Sequence, residues 1–240
     1  MYFMMLNEDL NHFGFQFHKG LNTDCKTFNE KNIYDEGFFF RDEQDILTFC
    51  DTETKIAKVS IPEGDVVVPV YNNGYRAHRI ILSDIKDLWT VDTFQWLVDQ
   101  GVNIHALGDV ALQLAAYKGY LDIVKFLINH GSIVHTGDSG TLLFASQKGH
   151  LDIVKYLIEH NPETHSDCDD ALCLASEYGH LDIVKYLTEH GADIHVNGDI
   201  PLRLAILGGH SDSAKYLIEQ GSDVKLSVLL EDVDTEEIYV

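Results

Sequence analysis

The chain has 240 residues, a formal net charge of −22 at pH 7 and an isoelectric point of about 4.7. A negative field of this size repels phosphate, so the composition disfavours nucleic acid and anionic membrane as partners. No apolar run is long enough to cross a bilayer, and we expect no signal peptide because acids follow the N-terminal apolar run at once. The four cysteines form no CxxC pair, which is typical of reduced thiols in an intracellular protein.

Residues 1–80 carry strand-like patterns. "HFGFQFHKG" places a phenylalanine at every second position, the period of a strand. "GFFFRDEQDILTFC" predicts a strand that continues into a short helix capped near Asp42. "KIAKVSIPEGDVVVPVYNNGYRAHRIIL" predicts three short strands, with turns at Pro62-Glu-Gly and Asn72-Asn-Gly. The sequence therefore predicts a small α+β domain.

The remainder of the chain repeats itself every 30 residues. "LDIVKFLINHG" begins at Leu121, and related stretches begin at Val91, Leu151, Leu181 and Ser211. A second set of stretches keeps the same period: "ALQLAAYKGY", "TLLFASQKGH", "ALCLASEYGH" and "PLRLAILGGH". A fixed period of this length is typical of a solenoid in which each repeat buries its apolar face against its neighbours.

Each unit has the pattern of two helices joined by a turn. Leu121, Val124, Leu127 and Ile128 share one face of the second helix. A tight turn at Gly119 and a left-handed helix end at Gly131 suit residues without a Cβ, and both recur. Before the first helices stand four N-cap residue types, which are Asp109, Ser139, Asp169 and Asp199. In the last unit Ser211 and Ser213 replace apolar residues, so we expect that helix to turn them towards water.

These units resemble the ankyrin repeat. The stretch "LASEYGHLDIVKYLTEHGADIH", residues 174–195, is close to the family consensus. The resemblance implies an all-α solenoid of helix pairs after the α+β domain. The expected limits are 1–80 for the α+β domain, 81–228 for the repeats (a degenerate capping repeat at 81–100 and then four repeats), and 229–240 for an acidic C-terminal tail.

The repeats depart from the ankyrin pattern in two ways. The usual period is about 33 residues, and the three missing residues fall in the segment that forms the protruding hairpin, so we expect blunt hairpin loops. The Thr-Pro-Leu-His motif of the family keeps its proline only at Pro201.

The N-terminal segment also resembles a viral domain. "HFGFQFHKGLNTD", "GFFF" and "VSIPEGDVVV" are similar to the domain that precedes ankyrin arrays in giant DNA viruses of amoebae, where the 30-residue period is common. The resemblance implies a viral protein located in the host cytoplasm or the virion and not secreted.

Ankyrin arrays bind proteins through their hairpins and the exposed side of the first helices. The resemblance therefore implies a protein-binding scaffold with hairpin contacts at Leu107, Asp138, Asp167 and Asn197, and first-helix contacts at Tyr117, Lys118, Gln147, Lys148, Glu177, Tyr178 and Leu207. The tyrosines and Leu207 are the anchor types that interfaces favour. The acidic rim favours a partner with a basic surface. A structural component of the virion is the alternative.

Recurring histidines suggest a metal ladder, but stacked equivalents about 10 Å apart cannot share one ion, so we expect no metal and no cofactor. We interpret the histidines of the Gly-His turns as hydrogen-bonding residues. Lys155–Glu159 and Lys185–Glu189 have the spacing of solvated pairs, and we expect Cys168 in a loop and Cys173 in a first helix.

Catalysis has little support in the sequence, which carries no familiar nucleophile, phosphate-loop or zinc motif. The N-terminal layout resembles ADP-ribosyltransferases distantly. That family needs a catalytic glutamate on a late strand, and the matching stretch, "YRAHRIIL", offers Arg76, His78 and Arg79 but no acid. This resemblance therefore implies a domain that has lost catalysis.

Overall fold

The computed structural model describes residues 1–12, 15–24, 37–49, 54–70, 74–134, 140–160 and 167–223. The chain divides into two compact units. The first, which we call the sheet unit, comprises Met1–Leu114 with Asn129–Ser132, and the second, the repeat unit, comprises Ala115–Ile128 with the chain from Ile133 onward.

The sheet unit contains an antiparallel sheet of seven strands. The strands described are β1 (Tyr2–Leu6), β2 (Asn11–His12), β3 (Phe15–Gln16), β4 (Gly20–Thr23), β5 (Phe38–Asp42), β6 (Lys55–Ser60), β7 (Val68–Val70), β8 (Gly74–Ala77) and β9 (Arg79–Asp87), with a 3-10 helix at Ile46–Phe49. Their order in the sheet is β4-β9-β6-β1-β5-β8-β7, and β2 and β3 form a separate pair. The α+β character of this region is confirmed.

The central position of β1 explains its sequence. Alternate residues point to opposite faces of a strand, and β1 is buried on both. Met4 and Leu6 join a core with Phe38 and Phe40 on one face, while the Phe3 ring packs edge-on against Trp96 on the other, with ring centroids 5.7 Å apart.

Two details of the predicted strands differ. The stretch from Lys55 to Leu82 holds four strands rather than three. Residues 81–87, which the sequence assigned to a degenerate repeat, belong to β9, which pairs with both β4 and β6. The first helix follows at Val91, capped by the Thr90 hydroxyl, which accepts from the Thr93 amide. The domain limits drawn from the sequence remain a prediction.

The helices follow the 30-residue period. They are α1 (Val91–Asp99), α2 (Ala106–Lys118), α3 (Leu121–Asn129), α4 (Thr141–Lys148), α5 (Leu151–His160), α6 (Cys168–Glu177), α7 (Leu181–Glu189), α8 (Val196–Leu207) and α9 (Ser211–Glu219). Helix α6 packs between α4 and α8, and α7 packs between α5 and α9, so the first and second helices of successive repeats form two layers.

The framework columns of the repeat are buried. The leucines of the first helices and of the second helices have no exposed surface, and neither do the repeated alanines; they are Leu112, Leu142, Leu172, Leu202, Leu97, Leu127, Leu157, Leu187, Leu217, Ala115, Ala145, Ala175 and Ala205. The predicted left-handed turns are confirmed, with φ of 82° at Gly119 and 92° at Gly131.

The expectations for the residues before the first helices need correction. Asp109 and Asp199 have left-handed backbones, with φ of 62° and 59°, rather than the extended backbone of an N-cap. Asp169 lies inside α6, one residue after its start. Ser139 lies outside the described residues.

Two further residues differ from expectation. Ser213 is buried rather than turned towards water, because α9 packs against both α7 and α8. Cys168 is the first residue of α6 rather than a loop residue. Of the helices in the described part of the chain, none combines the length and apolar character that crossing a membrane requires.

Candidate protein-interaction surface

The ends of the first helices bring together the residues proposed to contact a partner. Tyr117 and Lys118 end α2, Gln147 and Lys148 end α4, Glu177 ends α6 with Tyr178 directly after it, and Leu207 ends α8. We call these seven residues the inner-helix surface. Lys148, Glu177, Tyr178 and Leu207 are exposed, and the other three are half-buried.

Contacts between successive repeats fix these side chains. The Lys148 ammonium lies 4.4 Å from the centroid of the Tyr117 ring, and that ring packs edge-on against Phe144. The Gln147 side-chain amide donates to the Tyr178 hydroxyl at 3.1 Å. That hydroxyl keeps its own proton to donate outward. The surface is therefore ordered by its own contacts, which lowers the entropy lost when a partner binds.

The turn histidines hold the backbone beneath this surface. His150 Nε2 donates to the carbonyl of Tyr117 at 3.0 Å, and His180 Nε2 donates to the carbonyl of Gln147 at 3.0 Å. Each bond joins the turn of one repeat to the end of the preceding first helix, which has no intrahelical partner for its last carbonyls. This confirms the sequence-based interpretation of His150 and His180 as hydrogen-bonding turn residues.

Variation among the repeats concentrates on this surface. The buried framework columns hold one residue type throughout, whereas positions 117, 147, 177 and 207 hold Tyr, Gln, Glu and Leu, and positions 118, 148, 178 and 208 hold Lys, Lys, Tyr and Gly. Packing therefore does not dictate these residues, with the exception of Gly208. Tyr178 is 44% exposed and Leu207 is 55% exposed, so both offer apolar area that nothing in the described residues covers.

Position 208 holds glycine, where the other repeats hold lysine or tyrosine, for a steric reason. A Cβ at this position would stand 2.6 Å from the Glu177 carbonyl oxygen, so only glycine fits between the ends of α6 and α8. The close approach brings the helix ends that carry Tyr178 and Leu207 together.

The hairpin candidates have different environments. Leu107 is 74% exposed and Asn197 is exposed, and both begin runs of three left-handed residues. Asp167 is buried at the start of α6, and Asp138 lies outside the described residues. Each run ends at a hydrogen bond: His105 Nδ1 donates to Asp109 at 2.7 Å, and His195 Nδ1 donates to Asp199 at 2.7 Å.

The His105–Asp109 pair does not form a hydrolytic triad with the neighbouring Ser132. The Ser132 hydroxyl lies 3.3 Å from His105 Nδ1, the same nitrogen that contacts Asp109. A triad needs the serine at Nε2, on the other side of the ring. Among the residues that the structure describes, no group of three or more His, Cys, Asp or Glu side chains is placed to hold a metal ion.

The second helices carry a different set of contacts, which sequence reasoning missed. Lys125, Lys155 and Lys185 lie 5.4–5.5 Å from the ring centroids of Tyr156, Tyr186 and Tyr216, each one repeat further on. Of these lysines, Lys155 and Lys185 were predicted to be solvated i, i+4 partners, and all three tie neighbouring repeats together by cation–π attraction. The signal was available: each pair is 31 residues apart, one period plus one.

The two described cysteines are shielded. Cys168 is buried and Cys173 is half-buried within α6. Burial, reinforced by neighbouring aspartates, raises the pKa of Cys168 to about 11 and that of Cys173 to about 12. Both thiols are therefore protonated and poorly nucleophilic at neutral pH.

Comparison with known proteins agrees with the architecture. A family model of ankyrin repeats matches residues 89–168 and 142–227, together more than half of the chain. Two proteins of Acanthamoeba polyphaga mimivirus that are named as ankyrin repeat proteins are each 32% identical to the chain, over 129 and 123 residues. An uncharacterized protein of the same virus is 30% identical over 130 residues, which cover 94% of its length and 52% of this chain.

The first two matches cover 51% and 48% of this chain but only 39% and 40% of the viral proteins, so the chain spans about two fifths of their length. Ankyrin repeats are protein–protein interaction modules and are typically non-enzymatic, which implies a protein partner. The matched range and the paired helices lead to one conclusion: the chain belongs to the ankyrin-repeat family.

Proposed function

We propose that the chain is a non-enzymatic scaffold that binds a partner protein through the inner-helix surface. The observation that carries the proposal is the pair of exposed apolar side chains, Tyr178 and Leu207, at adjoining helix ends on an otherwise repetitive framework. A large exposed aromatic beside an exposed aliphatic residue is the composition of an interface centre.

Charge and relatives support a proposal for the partner and its location. A net charge of −22 attracts basic proteins at long range and speeds their association, which favours a partner with a basic surface. Relatives in a virus of amoebae support a viral protein that acts inside the infected cell on a host or virion protein. The hairpin residue Asn197 would extend the contact.

The test is affinity capture followed by measurement of binding. The tagged full chain is used to capture proteins from infected Acanthamoeba lysate, and the specific partner is identified by mass spectrometry and its affinity measured. Tyr178→Ala and Leu207→Ala should each weaken binding about thirtyfold, because the loss of a hot-spot side chain costs about 2 kcal/mol.

The controls change similar side chains elsewhere. Ile133→Ala removes an exposed aliphatic residue outside the surface, and Lys185→Ala removes a lysine on a second helix. Both should bind as the parent does. If all four variants fold and bind alike, the inner-helix surface is not the binding site. A high copy number in purified particles without a separable partner would favour the virion component instead.

We propose no transferase activity for the sheet unit. In the stretch compared with the catalytic strand, Arg76 is fully buried in β8, and Arg79 Nε donates to Asp65 at 2.9 Å. Both side chains pack or bond within the sheet unit, and neither replaces the catalytic glutamate that this stretch lacks.

A further inference from the structure

The exposed charges of the inner-helix surface change sign between neighbouring helices. Helix α4 contains no acidic residue and ends at the exposed Lys148. Helix α6 contains Asp169, Asp170 and Glu177, of which Asp170 and Glu177 are exposed. On the far side of α6, α8 carries one half-buried cation, Arg203, one helical turn before Leu207. Helix α4 of one repeat therefore presents a positive charge, and α6 of the next repeat, which directly precedes Tyr178, presents negative charges.

These opposite charges remain separate. Lys148 extends over Tyr117 of the preceding repeat, which is the side away from α6. In α6, Asp169 accepts from the Asp193 amide of the next repeat, and Asp170 and Glu177 are exposed. The Lys148 ammonium beside the Tyr117 ring and the Glu177 carboxylate next to Tyr178 are therefore both exposed to a partner.

Charge and shape together select one kind of ligand. We propose that the inner-helix surface binds a short amphipathic segment of the partner that places an aliphatic or aromatic side chain between Tyr178 and Leu207, an acidic residue at Lys148 and a basic residue at Glu177. This inference rests on the proposed function. The Tyr178 hydroxyl, held by Gln147, donates its proton to a carbonyl or carboxylate of that segment. The sign change fixes the direction in which the segment lies, because the reversed segment sets like charges together.

The proposed partner segment carries both an acid and a base, whereas the net charge of the chain alone would select a basic segment. Long-range attraction favours any basic protein, but the local contact needs an acid at one end. A wholly basic peptide would be repelled by the Lys148 ammonium. The net charge thus governs the rate of encounter, and the local pattern governs which segment stays bound.

The test uses a random peptide library displayed on phage and selected against the immobilised full chain. The selected peptides should contain an apolar residue, then a base and then an acid on the same side of it, because α8, α6 and α4 follow one another in that order. Lys148→Glu should reduce the preference for the acid about tenfold and favour a base there, and Glu177→Lys should reduce the preference for the base and favour an acid at that position.

Lys185→Glu is the matched control. Lys185, like Lys148, lies over a tyrosine ring, that of Tyr216, and its reversal changes the net charge by the same amount. This variant should select the same peptides as the parent. Unchanged preferences in Lys148→Glu and Glu177→Lys, or an equal change in Lys185→Glu, would overturn the proposal.

The result separates this proposal from the function on which it rests. If Tyr178→Ala and Leu207→Ala abolish selection while the charge variants leave the preferences unchanged, the binding surface stands and the chemistry assigned to its ligand is wrong. If the apolar variants select peptides as the parent does, the surface itself is wrong and both proposals fall.

Discussion

His150 donates from Nε2 to the carbonyl of Tyr117 at 3.0 Å, and its ring lies directly over Gly119. A Cβ on Gly119 would stand 2.5 Å from the ring, closer than atoms approach in proteins. The glycine of one turn and the histidine of the next therefore act together. The glycine leaves the space that the histidine needs to reach the end of the preceding first helix.

Gly119 should tolerate alanine much less well than Gly131. Both have left-handed backbones, with φ of 82° and 92°, so both substitutions add a strain of roughly 1–2 kcal/mol. Only Gly119→Ala also collides with His150, since nothing lies within 4 Å of a Cβ at Gly131. Overpacking adds about 2 kcal/mol. Urea unfolding of both variants measures the difference, and equal losses would refute the packing role of the glycine.

His150→Ala should destabilise the chain more than His190→Ala. The first loses the bond from His150 to the carbonyl of Tyr117 and leaves that helix end unpaired, which costs about 1–2 kcal/mol. His190 donates to Tyr186 within its own repeat and is exposed, so its loss should cost less than about 1 kcal/mol. Thermal melting of both variants would show the order, and a reversed order would mean that the turn bond contributes little.

The sequence predicted the repeat architecture because its determinants are local. The 30-residue period, the leucine columns and the glycine turns depend on spacing within one unit, and the structure confirms the helix pairs and the left-handed glycines. The histidine bonds could also be expected, since the turn histidines recur with the glycines they cover.

Non-local contacts account for what the sequence did not show. Strand β9 extends to Asp87 because β4 and β6 pair with it, and no pattern within residues 81–87 announces those partners. Ser213 is buried because α9 packs against α7 and α8. The arrangement of Lys148 over Tyr117 needs two first helices side by side, so helical periodicity alone places both residues on the surface without joining them.

The two described cysteines should resist alkylation in the folded chain. Their raised pKa values, about 11 for Cys168 and about 12 for Cys173, keep both thiols protonated at pH 8. Iodoacetamide should modify them slowly in buffer and rapidly in urea, as mass mapping of the two sites would show. Equal rates in both solvents would mean that α6 opens readily.

The same pKa values predict alkaline destabilisation. The folded-state values lie above the ordinary value of 9.0, so the unfolded chain loses these protons first. The stability from this source is complete below about pH 9 and is lost as pH rises through 11 to 12. Cys168→Ala with Cys173→Ala should flatten the decline in urea midpoint above pH 9, and an unchanged slope would assign the decline to other groups.

A substitution series at Gly131 tests where the second helix of a repeat ends. The backbone there has φ of 92°, and a Cβ would meet no neighbour within 4 Å, so conformational strain alone decides the outcome. Asparagine tolerates left-handed backbone best after glycine, alanine less well, and a β-branched residue worst. The free energy of unfolding should therefore fall in the order Gly, Asn, Ala, Val, with Gly131→Val costing about 1–3 kcal/mol. Urea midpoints at a constant denaturant slope report this order as a change in the native state. If Gly131→Val is as stable as the parent, the helix continues through residue 131, and the hairpin that follows it begins elsewhere.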